Sequence, residues 1–289
     1  MPNVKEKSVT RYHSIVNNLV KRALFGAMYV ATMVAAIIGN NPIVFACVFS
    51  VVLALGLREF YTLSSQIKGV KPQVPVSIIG GISAFLACSP SVNIGLWVFL
   101  PIWLVLLITE LFRKEEQPIH NLSFSFGGLM YVALPFCCMG QIMQLGNYYL
   151  LAFYIFVWVS DTGAYCIGKM FGKHKMSERI SPKKTWEGIG GGLAFALIAG
   201  ALAAHFITDA NNPLSLNSAL WMLYAVVSFV VGTLGDLVES LFKRYLGIKD
   251  SGSFLPGHGG VLDRFDSSLL GAPAALVLLE AVKALAEVV

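Results

Sequence analysis

Long apolar runs, repeated down the whole chain and separated by short charged loops, constrain this sequence more than any other feature. Candidate helices lie at roughly 23–40, 43–57, 76–91, 93–110, 122–144, 149–168, 187–208, 218–238 and 267–286. A helix needs about 20 apolar residues to cross a bilayer, and the second and third of these runs are the shortest. Of 289 residues 56% are hydrophobic and only 13% are charged, about half the charge of a soluble domain. A deficit spread over the whole length fits a polytopic membrane protein and excludes a soluble enzyme with one anchor. The first run follows a basic stretch, as a signal peptide would. It continues too long for one and further runs follow, so it reads as a first span. The expected fold is all-α: a polytopic integral membrane protein with about nine transmembrane helices.

Lysine and arginine set the expected orientation. With the N-terminus inside and the spans alternating, residues 1–22 hold five basic side chains. Arg58, Lys68 and Lys71 follow, then Arg113 and Lys114, then six from Lys169 to Lys184, then Lys243, Arg244, Lys249 and Arg264. Twenty of the 21 basic residues thus fall on one side, and the opposite loops, such as DANNPLSLN at 209–217, carry none. That asymmetry predicts a cytoplasmic N-terminus. The five cysteines (Cys47, Cys88, Cys137, Cys138 and Cys166) lie in apolar runs without metal-ligand spacing and are expected to be free. Glu59 and Glu110, at the ends of spans, read as interfacial charges. His13, His120, His174 and His205 lack clustered partners and read as structural.

Three polar clusters fall on the predicted cytoplasmic side. Asp161 is an acid inside the run VWVSDTGAYC, SPKKTWEG at 181–188 leads into the next run, and GDLVESLFKRYLGIKDSGSFLPGHGGVLDRFD at 235–266 is the most charge-dense stretch of all. A carboxylate in a bilayer helix costs about 2.5–3.5 kcal/mol and persists beside a base, a metal or a water-filled cavity. Asp161, Asp236 and Glu239 face that requirement. Asp236 and Glu239 are three residues apart and share a helix face, as can Asp263 and Asp266. Each cluster has a plainer reading. Asp161 can be the partner of a nearby lysine, the two lysines a topology anchor, and HGG an ordinary turn. Their coincidence on one side, all abutting spans, favours a site. Carboxylates among glycines and bases suit a magnesium ion with bound phosphates, and Gly257, Gly259 and Gly260 let backbone approach an anion.

From Ser240 the chain reads S-x-F-K-R-x4-K-D-x-G-x2-L-P-x-H-G-G-V-x-D-R-F-D, ending at Asp266. This resembles the signature of the phosphatidate cytidylyltransferases, or CDP-diacylglycerol synthases. Ser240, Lys243, Arg244, Lys249, Asp250, His258, Gly259, Gly260, Asp263, Arg264 and Asp266 fill its fixed positions. SDTGAY at 160–165, SPKKTWEG at 181–188 and GD at 235–236 resemble secondary blocks of the family. The likeness runs from about 150 to the end. It divides the chain into an N-terminal membrane region, 1–148, and a C-terminal catalytic membrane domain, 149–289.

The resemblance implies a multi-pass enzyme of the cell membrane that joins CTP to phosphatidate, giving CDP-diacylglycerol and pyrophosphate in phospholipid biosynthesis. Its active-site cavity would face the cytoplasm at the ends of the C-terminal helices. It implies Mg2+ held by Asp236 and Asp263, a K+ partner ion and a homodimer; no nucleic-acid partner is expected. Asp236, Asp263, Asp266 and Lys184 are the expected catalytic residues. Ser181, Lys183, Lys184, Lys243, Arg244, Lys249, His258, Gly259, Gly260 and Arg264 are the expected binders of the CTP and phosphatidate phosphates, with Asp161 bordering the cavity. Two rivals stand beside this reading. A CTP-dependent polyprenol kinase would release CDP instead of pyrophosphate. A transporter would need acids spread through the membrane depth, whereas these bunch at one face.

Overall fold

An asparagine and a proline start the first long helix. Asn41 Oδ1 accepts the backbone N–H groups of Ile43 and Val44 (3.0 and 3.3 Å), and Pro42 needs no partner for the N–H it lacks. The computed structural model describes residues 26–92, 94–207, 212–252 and 259–288. Ten helices are labelled along the described chain: α1 (Gly26–Ile38), α2 (Pro42–Ser64), α3 (Val74–Ala87), α4 (Phe99–Phe112, extended back to Leu96 by a 3-10 turn) and α5 (Pro118–Gly128). They continue with α6 (Leu134–Leu145), α7 (Asn147–Phe171), α8 (Trp186–Phe206), α9 (Ser218–Tyr245) and α10 (Leu262–Val288).

Among the described residues six segments are long and apolar enough to cross a membrane: α2, the joined α5–α6, α7, α8, α9 and α10. At 1.5 Å per residue the 23 residues of α2 span about 34 Å. Three apolar helices are shorter: Gly26–Ile38, Val74–Ala87 and Leu96–Phe112. Over its described residues each of the nine apolar runs read from the sequence is thus largely helical, and six have a crossing length there. The all-α expectation needs one amendment. Between α7 and α8 a two-stranded antiparallel hairpin, β1 (Lys175–Ser177) and β2 (Ser181–Thr185), pairs Lys175 with Thr185 and Ser177 with Ser181. Its strands are too short and too polar to show as a periodic signal.

The joint between α5 and α6 is a π-helical turn over Leu129–Ala133, followed at once by Pro135. A proline cannot donate to the carbonyl four residues back and its ring crowds it. That carbonyl belongs to Tyr131, and the widened turn makes room for the ring. One aromatic core links the two halves of the chain: Phe49 meets Phe136 at 6.2 Å, Phe136 meets Phe265 at 5.3 Å, and Tyr154 meets Phe265 at 6.5 Å between ring centres. α7 and α8 cross where Gly188 lies against Gly168 and the Ala164 carbonyl, an approach that only small residues permit. All five cysteines are free.

The helix ends sort by charge. At one end, Tyr149 Oη donates to Asn212 (2.9 Å), Gln144 reaches the Cys88 carbonyl (2.9 Å), and no charged side chain takes part in these bonds. At the other, Lys71 pairs with Glu115 (2.8 Å), Arg244 reaches the Ile180 carbonyl (3.3 Å) and Glu59 meets the segment after α9. Glu110 corrects the reading of an interfacial charge, because it is only 3% exposed. Residues 71–73 lie over the end of α4, and Glu110 accepts from Gln73 (2.7 Å), Arg113 (2.7 Å) and Asn121 (3.1 Å).

Glu110→Ala strands those donors in a buried place. We expect it to destabilise the protein by about 3 kcal/mol, and Glu110→Gln by clearly less, read as thermal unfolding in detergent.

Candidate active site

The last two turns of α9 carry Asp236, Glu239, Ser240 and Lys243 at intervals of three and four, on one face. α10 opens with Asp263 and Asp266 at the same interval. The two helices close tightly because position 235 is glycine. A Cβ there would stand 2.6 Å from the Asp266 carbonyl oxygen. Asp236 and Asp266 are thereby brought side by side. Asp236, Glu239 and Asp266 each offer a carboxylate oxygen within 4.8 Å of the others. At an effective dielectric constant of about 20, two full charges at that separation repel by about 3.5 kcal/mol. Glu239 is 3% exposed, and its Oε1 has no hydrogen-bond partner among the described residues. A hard, all-oxygen donor set with an unused buried oxygen fits a small divalent cation.

Two ammonium groups flank the trio. Lys184 Nζ lies 2.7 Å from Asp236 Oδ2 and 3.2 Å from the Thr233 carbonyl. Lys243 Nζ lies between Glu239 Oε2 (2.9 Å) and Asp263 Oδ1 (2.8 Å). Asp263 has a further duty. Its Oδ2 accepts the N–H groups of Ser251 (2.9 Å) and Gly260 (2.7 Å), tying both residues to the first turn of α10. Gly259, at φ 82°, lets the backbone pass so close to Asp263 that a side chain would strike the carboxylate. The anion approached by these glycines in the structure is therefore a carboxylate of the protein. Glu59 caps α10 from α2: its Oε2 accepts from Leu262 N (3.0 Å) and Ser251 Oγ (3.3 Å). Glu59 is thus a structural ligand of the loop, which corrects its reading as an interfacial charge.

The hairpin builds a cavity against α7, α8 and α9. About 630 Å3 in volume, it is lined by Asp161, Lys169, Lys175, Lys183, Lys184 and Asp236, among others. Thr185 caps α8, its Oγ1 accepting from Gly188 N (3.2 Å). Glu187 in the first turn accepts from Lys173 N (3.1 Å) and His174 Nδ1 (2.6 Å), so the hairpin is pinned to the helix start. Four lysines against two acids give this cavity a positive balance.

Of the residues expected from the sequence, Asp161, Lys183, Lys184 and Asp236 share this cavity, and Asp266 joins Asp236. Lys243 pairs with Glu239 of the trio, and Asp263 lies one pair further, on the other side of Lys243. Asp263 does not belong to the carboxylate trio. Ser181 is occupied in the hairpin opposite Ser177. Arg244 is exposed, against the carbonyls of Ile180 and Ile248, and Lys249 and Arg264 are exposed. His258 lies outside the described residues. Sequence reading left Glu239 out of the metal set although its spacing from Asp236 was visible. Lys169 and Lys175 were counted only for topology. Glu59 and Tyr131 were out of reach, because their partners are about 200 and 100 residues away in the chain.

The profile of the cytidylyltransferase family matches residues 20–282. The chain belongs to the cytidylyltransferase family. Among its cytidylyltransferase relatives is the phosphatidate cytidylyltransferase of Staphylococcus aureus (strain COL), 37% identical over 238 residues, which cover 80% of this chain and 88% of the relative. That of Staphylococcus haemolyticus is 40% identical over 187 residues, 65% of this chain and 70% of the relative. That of Staphylococcus saprophyticus is 40% identical over 177 residues, and the chain spans 65% of its length.

Lys243→Met removes the one cation shared by Glu239 and Asp263. A loss of about 3 kcal/mol is expected, and the double substitution with Glu239→Gln should recover part of it in the same unfolding measurement.

Proposed function

We propose that this cytidylyltransferase is a membrane-embedded phosphatidate cytidylyltransferase, with its site on the cytoplasmic side. The single observation that carries the reading is the carboxylate trio set beside a lysine-lined cavity. Such a pair suits a reaction between two phosphorylated substrates, whose main barrier is their mutual repulsion. The charge asymmetry of the loops and the gathering of the basic segments at one helix end support a cytoplasmic N-terminus and nine crossings, with α1, α3 and α4 as the short ones. The division at about 148 is kept as a functional one: the second half carries the chemistry, while Glu59 and Tyr131 reach into it from the first.

The phosphomonoester oxygen of phosphatidate attacks the α-phosphorus of CTP. A P–O bond forms there, the bond to the β-phosphate oxygen breaks, and pyrophosphate leaves with its electron pair. A phosphate's second pKa is about 6, so the nucleophile is ionised near neutrality and no strong base is required. The work left to the protein is positioning and neutralisation. Lys169, Lys175, Lys183 and Lys184 receive the triphosphate. Lys184 is already held by Asp236, so the charge it presents has a fixed place. Asp236, Glu239 and Asp266 would hold Mg2+, which supplies charge neutralisation at the phosphates. Asp263 keeps α10 and its loop in register and holds Lys243 toward the trio; direct ligation by Asp263, as the family resemblance implies, would require it to release one of these partners.

Purified protein supplied with CTP, phosphatidate and Mg2+ should form a CDP-lipid and release pyrophosphate. Release of CDP instead would make it a kinase, and neither product would sink the reading. Asp236→Asn should lower turnover by at least a thousandfold and leave the protein folded in the membrane. Normal turnover in that variant at saturating Mg2+ refutes the role given to Asp236.

A further inference from the structure

α9 walls a second cavity, also about 630 Å3, whose character is opposite to the first. Leu63, Ile67 and Val70 from the end of α2 and the segment after it, Phe124 of α5, Phe242 of α9 and Leu246 just past its end are among its apolar lining. Its polar groups are few. Glu239, Lys243 and Tyr131 line it, with Lys68 and His120 among its other lining residues. Two of these groups hold buried atoms without a hydrogen-bond partner among the described residues: Glu239 Oε1 and the Tyr131 hydroxyl. A buried polar atom left unmade costs about 1–3 kcal/mol. Both lie on residues that border this one apolar cavity, each covered in this structure and each with an unmet hydrogen bond. Tyr131 sits on the π-helical turn, its ring packed edge-on against Phe242 at 5.3 Å.

We propose that this cavity receives the lipid substrate, with its anionic phosphomonoester at Tyr131 and Lys243 and its acyl chains along the apolar walls, while the nucleotide occupies the lysine-lined cavity. The assignment rests on the reaction proposed above and deepens it. The phenol donates to a phosphate or ester oxygen and the Lys243 ammonium answers the headgroup charge. A volume of this size accommodates a drug-sized ligand, enough for the glycerol unit and the first carbons of each chain, the remainder lying in the bilayer. α9 then divides the substrates. Asp236 faces the nucleotide, Glu239 faces the lipid, and the acids between them stand where the two phosphates meet. Tyr131 is a substrate-positioning residue contributed by the N-terminal half.

Two experiments test this. In nanodiscs, a phosphatidate bearing a photoreactive diazirine on its acyl chain should label peptides containing Phe124 or Phe242. Excess phosphatidate should suppress the labelling and CTP should not. Labelling confined to α7 and α8 at the lysine-lined cavity overturns the proposal. The labelling needs no turnover, so it stands apart from the activity assay: an inactive wild type that still labels there loses the reaction and keeps the lipid site. In steady-state kinetics, Tyr131→Phe should raise the KM for phosphatidate about fivefold, the worth of one hydrogen bond, and leave the KM for CTP within about twofold. A rise in the CTP value alone overturns it. The substitution removes a hydroxyl without a hydrogen-bond partner among the described residues, so its Tm should equal or exceed that of the wild type. A fall of several degrees would reveal such a partner and equally overturn the inference.

Discussion

Three carboxylates are held within 4.8 Å of one another by the tight crossing of α9 on α10. Much else near them serves to contain that repulsion. Lys184 answers Asp236 from the hairpin, and Lys243 answers Glu239 from one turn further along the same helix. Neither base fills the space among the acids, since Glu239 keeps one oxygen unused. A fold that gathers negative charge and leaves part of it unanswered is poised to take up positive charge with its substrates. Stability and function draw on the same arrangement here.

The supports of this centre come from far away in the chain. Glu59 on α2 binds the first N–H of α10, and the π-turn before Pro135 sets Tyr131 against the end of α9. The motif-bearing half thus depends on the other half for the cap of its last helix and for part of a wall. The aromatic line from Phe49 through Phe136 to Phe265 makes the same point in packing. The halves share one core, and a change in α2 or α6 reaches the acids through a few contacts.

What was legible in the sequence followed from local rules. Apolar length marked the helices, the interval of three between Asp236 and Glu239 marked a shared face, and the lysine distribution marked one end as charged. The hairpin was not legible, because Ser181–Thr185 reads as a polar lead into a helix and its pairing is supplied by β1. Glu110 was misread because a carboxylate at a helix end looks the same in sequence whether it meets water or Gln73, Arg113 and Asn121. Glu59 failed for the same reason. The separate duties of Asp263 and Asp266 were also hidden: equal residues at equal spacing differ only in what the fold brings to each.

Asp263 Oδ2 binds both ends of one excursion of the chain, Ser251 and Gly260. Tying the ends of such a loop is an entropic matter that depends weakly on size. Doubling its length would cost only about 0.6 kcal/mol. The knot would therefore tolerate insertions. Asp263 Oδ1 meanwhile holds Lys243 (2.8 Å), so whatever loosens this knot also loosens the ammonium beside Glu239.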